Sequence, residues 1–279
     1  MIFHLADLAA PLSEAEFRAM LCRRAFTRLR GAMTPAQSAL LDWPAMRALI
    51  ESSPLSPDVL RMTQGTRHVE PDTYASDGKV DPAKLDALLD AGVGIIVSGL
   101  ETRLRGLIAL TGDVHVKLGD RLAAYAIVST GPGGALMQHY DSEDILVLQL
   151  EGSKRWQVHA PTVANPVKGL ELALPPTSAP LFDGTIEQGD ILFVPAGHWH
   201  RCENGEGRSL HLAIGFEPFT GWNAAMRLVE QLQFDADFRA PLSRCETQAD
   251  RDALEAKLKA RLTEAIGTLS LRDFLAGKA

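Results

Sequence analysis

The stretch Gly189-Asp190-Ile191-Leu192-Phe193-Val194-Pro195-Ala196-Gly197-His198-Trp199-His200 reads as a short apolar strand, a proline-glycine bend and a histidine pair. Upstream stands its complement, His139-Tyr140-Asp141. In an extended strand, side chains at i and i+2 share a face, so His139 and Asp141 can point at one ion while a distant strand brings a third ligand. Two imidazoles and a carboxylate are the inventory of a facial triad, which leaves open positions on Fe(II) for a cosubstrate and oxygen. Gly197 permits the bend before the second histidine, and Asp190 suits a turn ahead of its strand. His198 lies two residues from His200, so on spacing alone either imidazole could complete the set.

Around these motifs the chain from Leu122 onward breaks into short apolar segments at 122 to 130, 144 to 150, 154 to 159, 190 to 194 and 208 to 216, separated by glycine and proline. This is the texture of a small barrel or double-sheet roll whose interior holds a ligand. The expected architecture is mainly β with flanking helices. Residues 1–120 form a helical and mixed elaboration, 121–219 the barrel and 220–279 a helical region. Ser13 and Glu16 make a capping box, and Asp81-Pro82 opens a helix that Gly92 closes. Val93 to Val97 then reads as a buried strand, and a helix occupies much of 99 to 112. In the helix over 247 to 266, Leu254, Leu258, Leu262 and Ala265 or Ile266 make an apolar stripe that needs a partner, either the barrel or a second subunit.

With 46% hydrophobic and 23% charged residues in a chain of 279, the composition is that of an ordinary globular protein and argues against overall disorder. The net charge of -7 supplies no general basic footprint for nucleic acid. The locally basic Arg23, Arg24, Arg28 and Arg30 read as a solvated helix face or as partners of an internal acid. No apolar run approaches membrane-spanning length, and the first residues lack the pattern of a secretory signal, so the expectation is a cytoplasmic protein without membrane contact. Cys22, Cys202 and Cys245 are odd in number and widely spaced, which suits free thiols rather than a disulfide framework.

His139-Tyr140-Asp141, Gln149-Leu150-Glu151-Gly152-Ser153-Lys154-Arg155-Trp156, Gly189-Asp190, Pro195-Ala196-Gly197-His198-Trp199-His200 and Ser209-Leu210-His211-Leu212 together resemble the JmjC-type cupin oxygenases. The similarity is greatest to the bacterial ribosomal-oxygenase-like branch and spans residues 1 to about 240. It implies a double-stranded β-helix, or jelly-roll, core. It also implies Fe(II) held by His139, Asp141 and His200, with 2-oxoglutarate as cosubstrate. By the same resemblance Lys154 pairs with the distal carboxylate of 2-oxoglutarate and Thr130 assists it. The implied reaction is hydroxylation of an amino-acid side chain in a protein or peptide, and relatives commonly form dimers, which implies a homodimer.

Strand alternation separates neighbouring candidates. Lys154 and Arg155 point to opposite faces, so only one of them faces the interior without a bulge. The Thr130 hydroxyl is a suitable donor to a carboxylate, and Tyr125 either reaches the pocket to hydrogen-bond the cosubstrate or the substrate, as a cosubstrate-binding residue, or is a packed barrel aromatic. Trp156 and Trp199 suit packing, with Trp199 at the pocket rim. His211 reads as a core residue or as one that orients a ligand or substrate, and it is the runner-up as a metal ligand. His4, His68, His115 and His159 lie outside the ligand pattern. Gly131-Pro132-Gly133-Gly134 lacks the Lys-Ser or Lys-Thr of a nucleotide phosphate loop and suits a turn or lid. Three other readings stay open on sequence: a hydroxylase of a free amino acid or natural-product metabolite, a metal-binding cupin sensor or scaffold, and a cupin enzyme that uses no 2-oxoglutarate.

Overall fold

In a computed structural model of the chain, the described residues are 2–65, 67–131, 136–169, 174–205 and 207–275. Met1–Glu217 form one compact unit and Pro218–Ala279 a second. The strands of the first unit are β1 (Thr27–Leu29), β2 (Leu60–Gln64), β3 (Arg67–His68), β4 (Ala75–Ser76), β5 (Lys79–Val80), β6 (Gly94–Val97) and β7 (Asp120–Thr130). They continue as β8 (Leu136–His139), β9 (Asp144–Glu151), β10 (Ser153–Pro161), β11 (Phe182–Glu187), β12 (Ile191–Val194), β13 (His198–Asn204) and β14 (Arg208–Pro218). An eight-stranded sheet runs β1-β12-β9-β14-β7-β6-β2-β3 and a four-stranded sheet runs β11-β10-β13-β8. Two such sheets with their inner faces packed together make the jelly-roll core of the cupin class.

Parity along each strand of the large sheet decides which core a side chain enters. Leu122, Ala124, Ala126 and Val128 of β7 join Leu146, Leu148 and Leu150 of β9 and Leu210, Leu212, Ile214 and Phe216 of β14 in a core shared with helices. The intervening residues Ile127, Ile145, Val147 and Ala213 meet Trp156, Val158, Ile186 and Cys202 of the small sheet in the barrel interior. Each fully buried leucine or phenylalanine of this kind contributes roughly 1.5 to 3 kcal/mol. A slip of one residue in register would exchange the two cores, so the register is strongly specified.

The helices α1 (Leu5–Ala9), α2 (Glu14–Arg23), α3 (Pro35–Ser38), α4 (Trp43–Glu51), α5 (Pro71–Tyr74) and α6 (Pro82–Asp90) precede the barrel. Ser13 caps α2 by the reciprocal box with Glu16, and Asp81 caps α6 by accepting from the N–H groups of Ala83 and Lys84. The helix expected over 99 to 112 is two, α7 (Leu100–Arg103) and α8 (Arg105–Leu118), because Leu104 between them takes an extended conformation. Phe17 of α2 meets Phe216 of β14 edge-on at 5.7 Å, which docks the first helices on the large sheet. Of the basic cluster, Arg28 lies on β1 rather than on a helix and finds an internal acid: its guanidinium donates to Asp190 at 2.5 and 3.1 Å. Asp190 also accepts from the N–H groups of Gly31 and Glu187, tying β1 to the turn before β12.

The second unit contains α9 (Gly221–Leu232), α10 (Gln248–Gly267) and α11 (Leu271–Leu275). Thr220 with Asn223 and Thr247 with Asp250 form the capping boxes of α9 and α10. No residue of α10 is buried. Its stripe of Leu254, Leu258, Leu262 and Ala265 is half-buried, while Ile266 is 63% exposed. Pro132, Gly133 and Gly134, read from sequence as part of a turn or lid, lie outside the described residues.

Candidate metal centre

Antiparallel pairing of β8 with β13 sets His139 directly opposite His200. Strand β8 ends at His139, so Asp141 is presented by the segment that follows rather than by a continuing strand. That segment is anchored by the Gly197 N–H, which donates to the Asp141 carbonyl at 2.9 Å. Gly197 itself has φ +83, a left-handed conformation that a side chain would strain, and it turns the chain into β13. One donor atom from each of His139, Asp141 and His200 lies within 4.8 Å of the others. His200 Nε2 stands 3.5 Å from Asp141 Oδ2, and His139 Nε2 4.0 Å from Asp141 Oδ1.

Each imidazole has its other nitrogen engaged. His139 Nδ1 contacts the Met137 carbonyl at 2.7 Å and His200 Nδ1 the His198 carbonyl at 3.1 Å. A carbonyl only accepts, so Nδ1 carries the proton and Nε2 presents its lone pair to the shared centre. Burial, followed by the neighbouring His139, pushes the His200 imidazole down to about 4, which keeps it neutral and fit to ligate. His198 turns elsewhere: it is buried, its Nδ1 meets the Pro195 carbonyl at 3.1 Å, and it lies outside this group of ligands.

A cleft of about 570 Å³ opens over the three side chains, and Tyr125, Ile127, Glu143, Trp156 and His211 help to line it. The Tyr125 hydroxyl donates to Glu143 Oε1 at 3.1 Å. Burial and then the Glu143 carboxylate raise the Tyr125 phenol above its ordinary value, while burial and then Asp141 push the Glu143 carboxyl up to about 7. Lys154 is 1% exposed and faces the barrel interior, as alternation requires, whereas Arg155 points outward to Asp183. The ammonium of Lys154 donates to Ser129 Oγ at 2.8 Å, and no ion pair to it occurs among the described residues.

Thr130 does not share this chamber. Its hydroxyl donates to the Leu89 carbonyl at 2.6 Å, on the helical side of β7, because 130 has the parity of Ala126 and Val128. The expected helper of Lys154 is thus displaced by Ser129, which has the parity of Tyr125 and Ile127. Sequence reading passed over Ser129 and Glu143. Strict alternation from Ile127 would have found Ser129, but no local signal marks Glu143, which reaches Tyr125 from a different segment. Among the described residues, four buried side-chain atoms have no hydrogen-bond partner: Gln149 Oε1, Trp156 Nε1, Asn204 Oδ1 and His211 Nδ1. All four side chains enter the barrel or its immediate seam.

Comparison with known proteins matches residues 113–224 to the JmjC domain family. Over those residues the chain matches the JmjC domain. The relatives it resembles bear histidyl-hydroxylase and ribosomal-oxygenase names. The bifunctional lysine-specific demethylase and histidyl-hydroxylase NO66 of Culex quinquefasciatus is 27% identical over 61% of this chain and 26% of its own length. Ribosomal oxygenase 2 of Rattus norvegicus is 36% identical over 33% of this chain and 20% of its own length. The chain therefore spans about a quarter of the length of these curated relatives or less. The ribosomal oxygenase YcfD of Escherichia coli, 17% identical, superposes with a TM-score of 0.57 over 95% of this chain and 68% of its own, and has the same fold. YcfD has also been solved in complex with cobalt and 2-oxoglutarate.

Proposed function

We propose that the chain is an Fe(II)- and 2-oxoglutarate-dependent dioxygenase that hydroxylates an amino-acid side chain in a protein or peptide. The observation that carries this reading is the convergence of His139, Asp141 and His200 within 4.8 Å at the floor of a cleft, with both Nε2 lone pairs left for a metal. Two neutral imidazoles and one carboxylate suit Fe(II) and leave coordination positions open. When bound, iron and 2-oxoglutarate supply the oxygen chemistry: O2 places one atom in the substrate C–H bond and one in succinate, with loss of CO2.

The chain's own residues hold and orient. Lys154 is a buried ammonium whose partner among the described residues is the Ser129 hydroxyl, and a dicarboxylate would supply the counter-charge that burial otherwise leaves unmet. Tyr125 and Glu143 on the cleft wall are set to contact a substrate rather than the metal. Relatives that bear the names histidyl-hydroxylase and ribosomal oxygenase support a polypeptide substrate. We read the protein as cytoplasmic, in keeping with three free cysteines, and as a homodimer formed through the C-terminal helices, in keeping with the exposed Trp222, Val229 and Ile266. No described helix is long and apolar enough to cross a membrane.

The test is anaerobic titration of the Fe(II)-loaded chain with 2-oxoglutarate, followed by labelled O2 in the presence of cellular protein, peptides and free amino acids. The expected results are a metal-to-ligand absorption change that depends on both components, and label in polypeptide. A chain that binds metal but neither binds nor consumes 2-oxoglutarate would be a sensor or another cupin enzyme. Label confined to a free metabolite would overturn the polypeptide assignment. Light scattering that reports a monomer at every concentration would overturn the dimer.

A further inference from the structure

Among the described residues, Trp156 and His211 are the two that both line the cleft and bury a nitrogen without a hydrogen-bond partner. The other two unpartnered atoms, Gln149 Oε1 and Asn204 Oδ1, are oxygens, and neither residue is on the cleft wall. A buried polar atom left unpaired carries its full desolvation cost, so a native fold keeps one where a ligand or an ordered water satisfies it. The indole Nε1–H is a donor only, and the imidazole Nδ1 is a donor in the tautomer that protonates it.

Packing fixes where these groups stand. The Trp156 ring stacks on His200 at 5.7 Å with an interplanar angle of 23°, and meets His211 edge-on at 5.7 Å and 67°. Lys154 precedes Trp156 by two positions on β10, so both enter the interior from the same strand face. His211 is 1% exposed, and burial followed by the Lys154 charge holds its imidazole well below the ordinary value, so it is neutral in that setting. Lys154 stands behind the cleft wall rather than on it, but its charge reaches His211, so the interior beside the metal ligands holds one ammonium and two ring nitrogens, those of an indole and a neutral imidazole. Such a set recognises a carboxylate and offers little to a cation or an apolar group.

We propose that Trp156 and His211 donate to the distal carboxylate of 2-oxoglutarate and complete, with Lys154, the cradle that positions it. This assignment rests on the oxygenase reading above. It gives Trp156 a binding role in addition to packing, and makes His211 a cosubstrate residue rather than a spare metal ligand.

The test uses the full chain loaded with redox-inert Zn(II), and measures binding by calorimetry rather than turnover. Two ligands are compared: 2-oxoglutarate, and 2-oxobutyrate, which keeps the chelating oxo-acid but lacks the distal carboxylate. W156F and H211L should each weaken 2-oxoglutarate by about tenfold or more, the size of a lost hydrogen bond to a charged group, and leave 2-oxobutyrate unchanged. H211N, which retains an N–H near the position of Nδ1, should recover most of the affinity. In the unsubstituted chain, the indole proton assigned to Trp156 by its loss in W156F should move downfield with 2-oxoglutarate and not with 2-oxobutyrate. Equal losses for both ligands, or an indole proton that does not move, would overturn the cradle and leave water as the partner of these nitrogens. Binding of 2-oxoglutarate that needs Lys154 but not Trp156 or His211 sinks this inference alone, whereas no binding to the unsubstituted chain sinks the oxygenase reading with it.

Discussion

His139 and His200 face each other across the β8–β13 pair with ring centroids 4.3 Å apart, and each engages through Nδ1 the carbonyl of the residue two positions before it. The same local device therefore sets the tautomer of both rings. The strand backbone orients the two Nε2 lone pairs before any ion arrives, which is the arrangement expected of a metal site whose ligands are preorganised.

Removing one ligand should abolish tight metal binding without unfolding the barrel. H139A, D141A and H200A should each lose stoichiometric metal after reconstitution, measured by elemental analysis. Zn(II) should raise the melting temperature of the unsubstituted chain and not of the variants, since only a ligand that binds the folded state stabilises it. Full metal retention in any of the three would reject that residue as a ligand.

Gly152 holds the turn from β9 to β10 that delivers Lys154. Its φ is +66, and a Cβ there would lie 2.1 Å from the Arg208 carbonyl oxygen, a backbone atom that cannot give way cheaply. G152A should cost roughly 3 kcal/mol or more, combining left-handed strain with a backbone clash. The urea midpoint reads this directly, and an unchanged midpoint would contradict the close approach.

Asp190 gathers the Arg28 guanidinium and the N–H groups of Gly31 and Glu187 while only 4% exposed. Burial pushes its carboxyl up, but the Gly31 N–H and then Arg28 outweigh burial and hold it below the ordinary value. D190A should lose about 3 to 5 kcal/mol at neutral pH, the cost of breaking a buried pair from one side. A carboxyl lowered by folding contributes stability above its unfolded value of about 4 and loses it as pH falls through the folded one, so the gap to D190A should narrow below about pH 4. A constant gap across that range would assign the loss to packing instead.

Asp120 carries the opposite sign. Burial, then the Asp144 charge, raises its carboxyl to about 6 in the folded chain. Folding is therefore penalised by the ionised form above pH 6, and the penalty is relieved as pH falls from there toward the unfolded value near 4. D120N should stabilise the protein at pH 7.5 by roughly 1 to 2 kcal/mol, discounted because the residue is only half-buried. The gain should fall to about a third near pH 4.5. Thermal unfolding at the two pH values checks it, and an equal gain at both would exclude the titration.

Period-two alternation sufficed to place the barrel strands, because that signal depends only on neighbours in sequence, but the shared strand face expected of His139 and Asp141 is not how they meet, since β8 ends at His139 and the segment after it presents Asp141. The inward face of Lys154 and the outward face of Arg155 follow from the same alternation. Caps at Ser13 and Asp81 were equally legible, since a capping box closes within one turn. Thr130 failed for an instructive reason. A hydroxyl suited to a carboxylate was counted by chemistry, although its parity belongs to the helical side of β7 and Ser129 holds the interior position.

The choice of His200 over His198 needed more than spacing. Two histidines at i and i+2 are equivalent on an ideal strand, and the bend at Gly197 with the pairing of His200 to His139 separates them. Likewise the Tyr125–Glu143 contact, the Arg28–Asp190 pair and the unpartnered nitrogens of Trp156 and His211 join segments far apart in the chain. Local chemistry determines which face a side chain takes and where an element begins or ends. Which distant side chain it then meets, and which polar atom is left without a partner, is decided only when the two sheets close, because burial and register are properties of the packed whole.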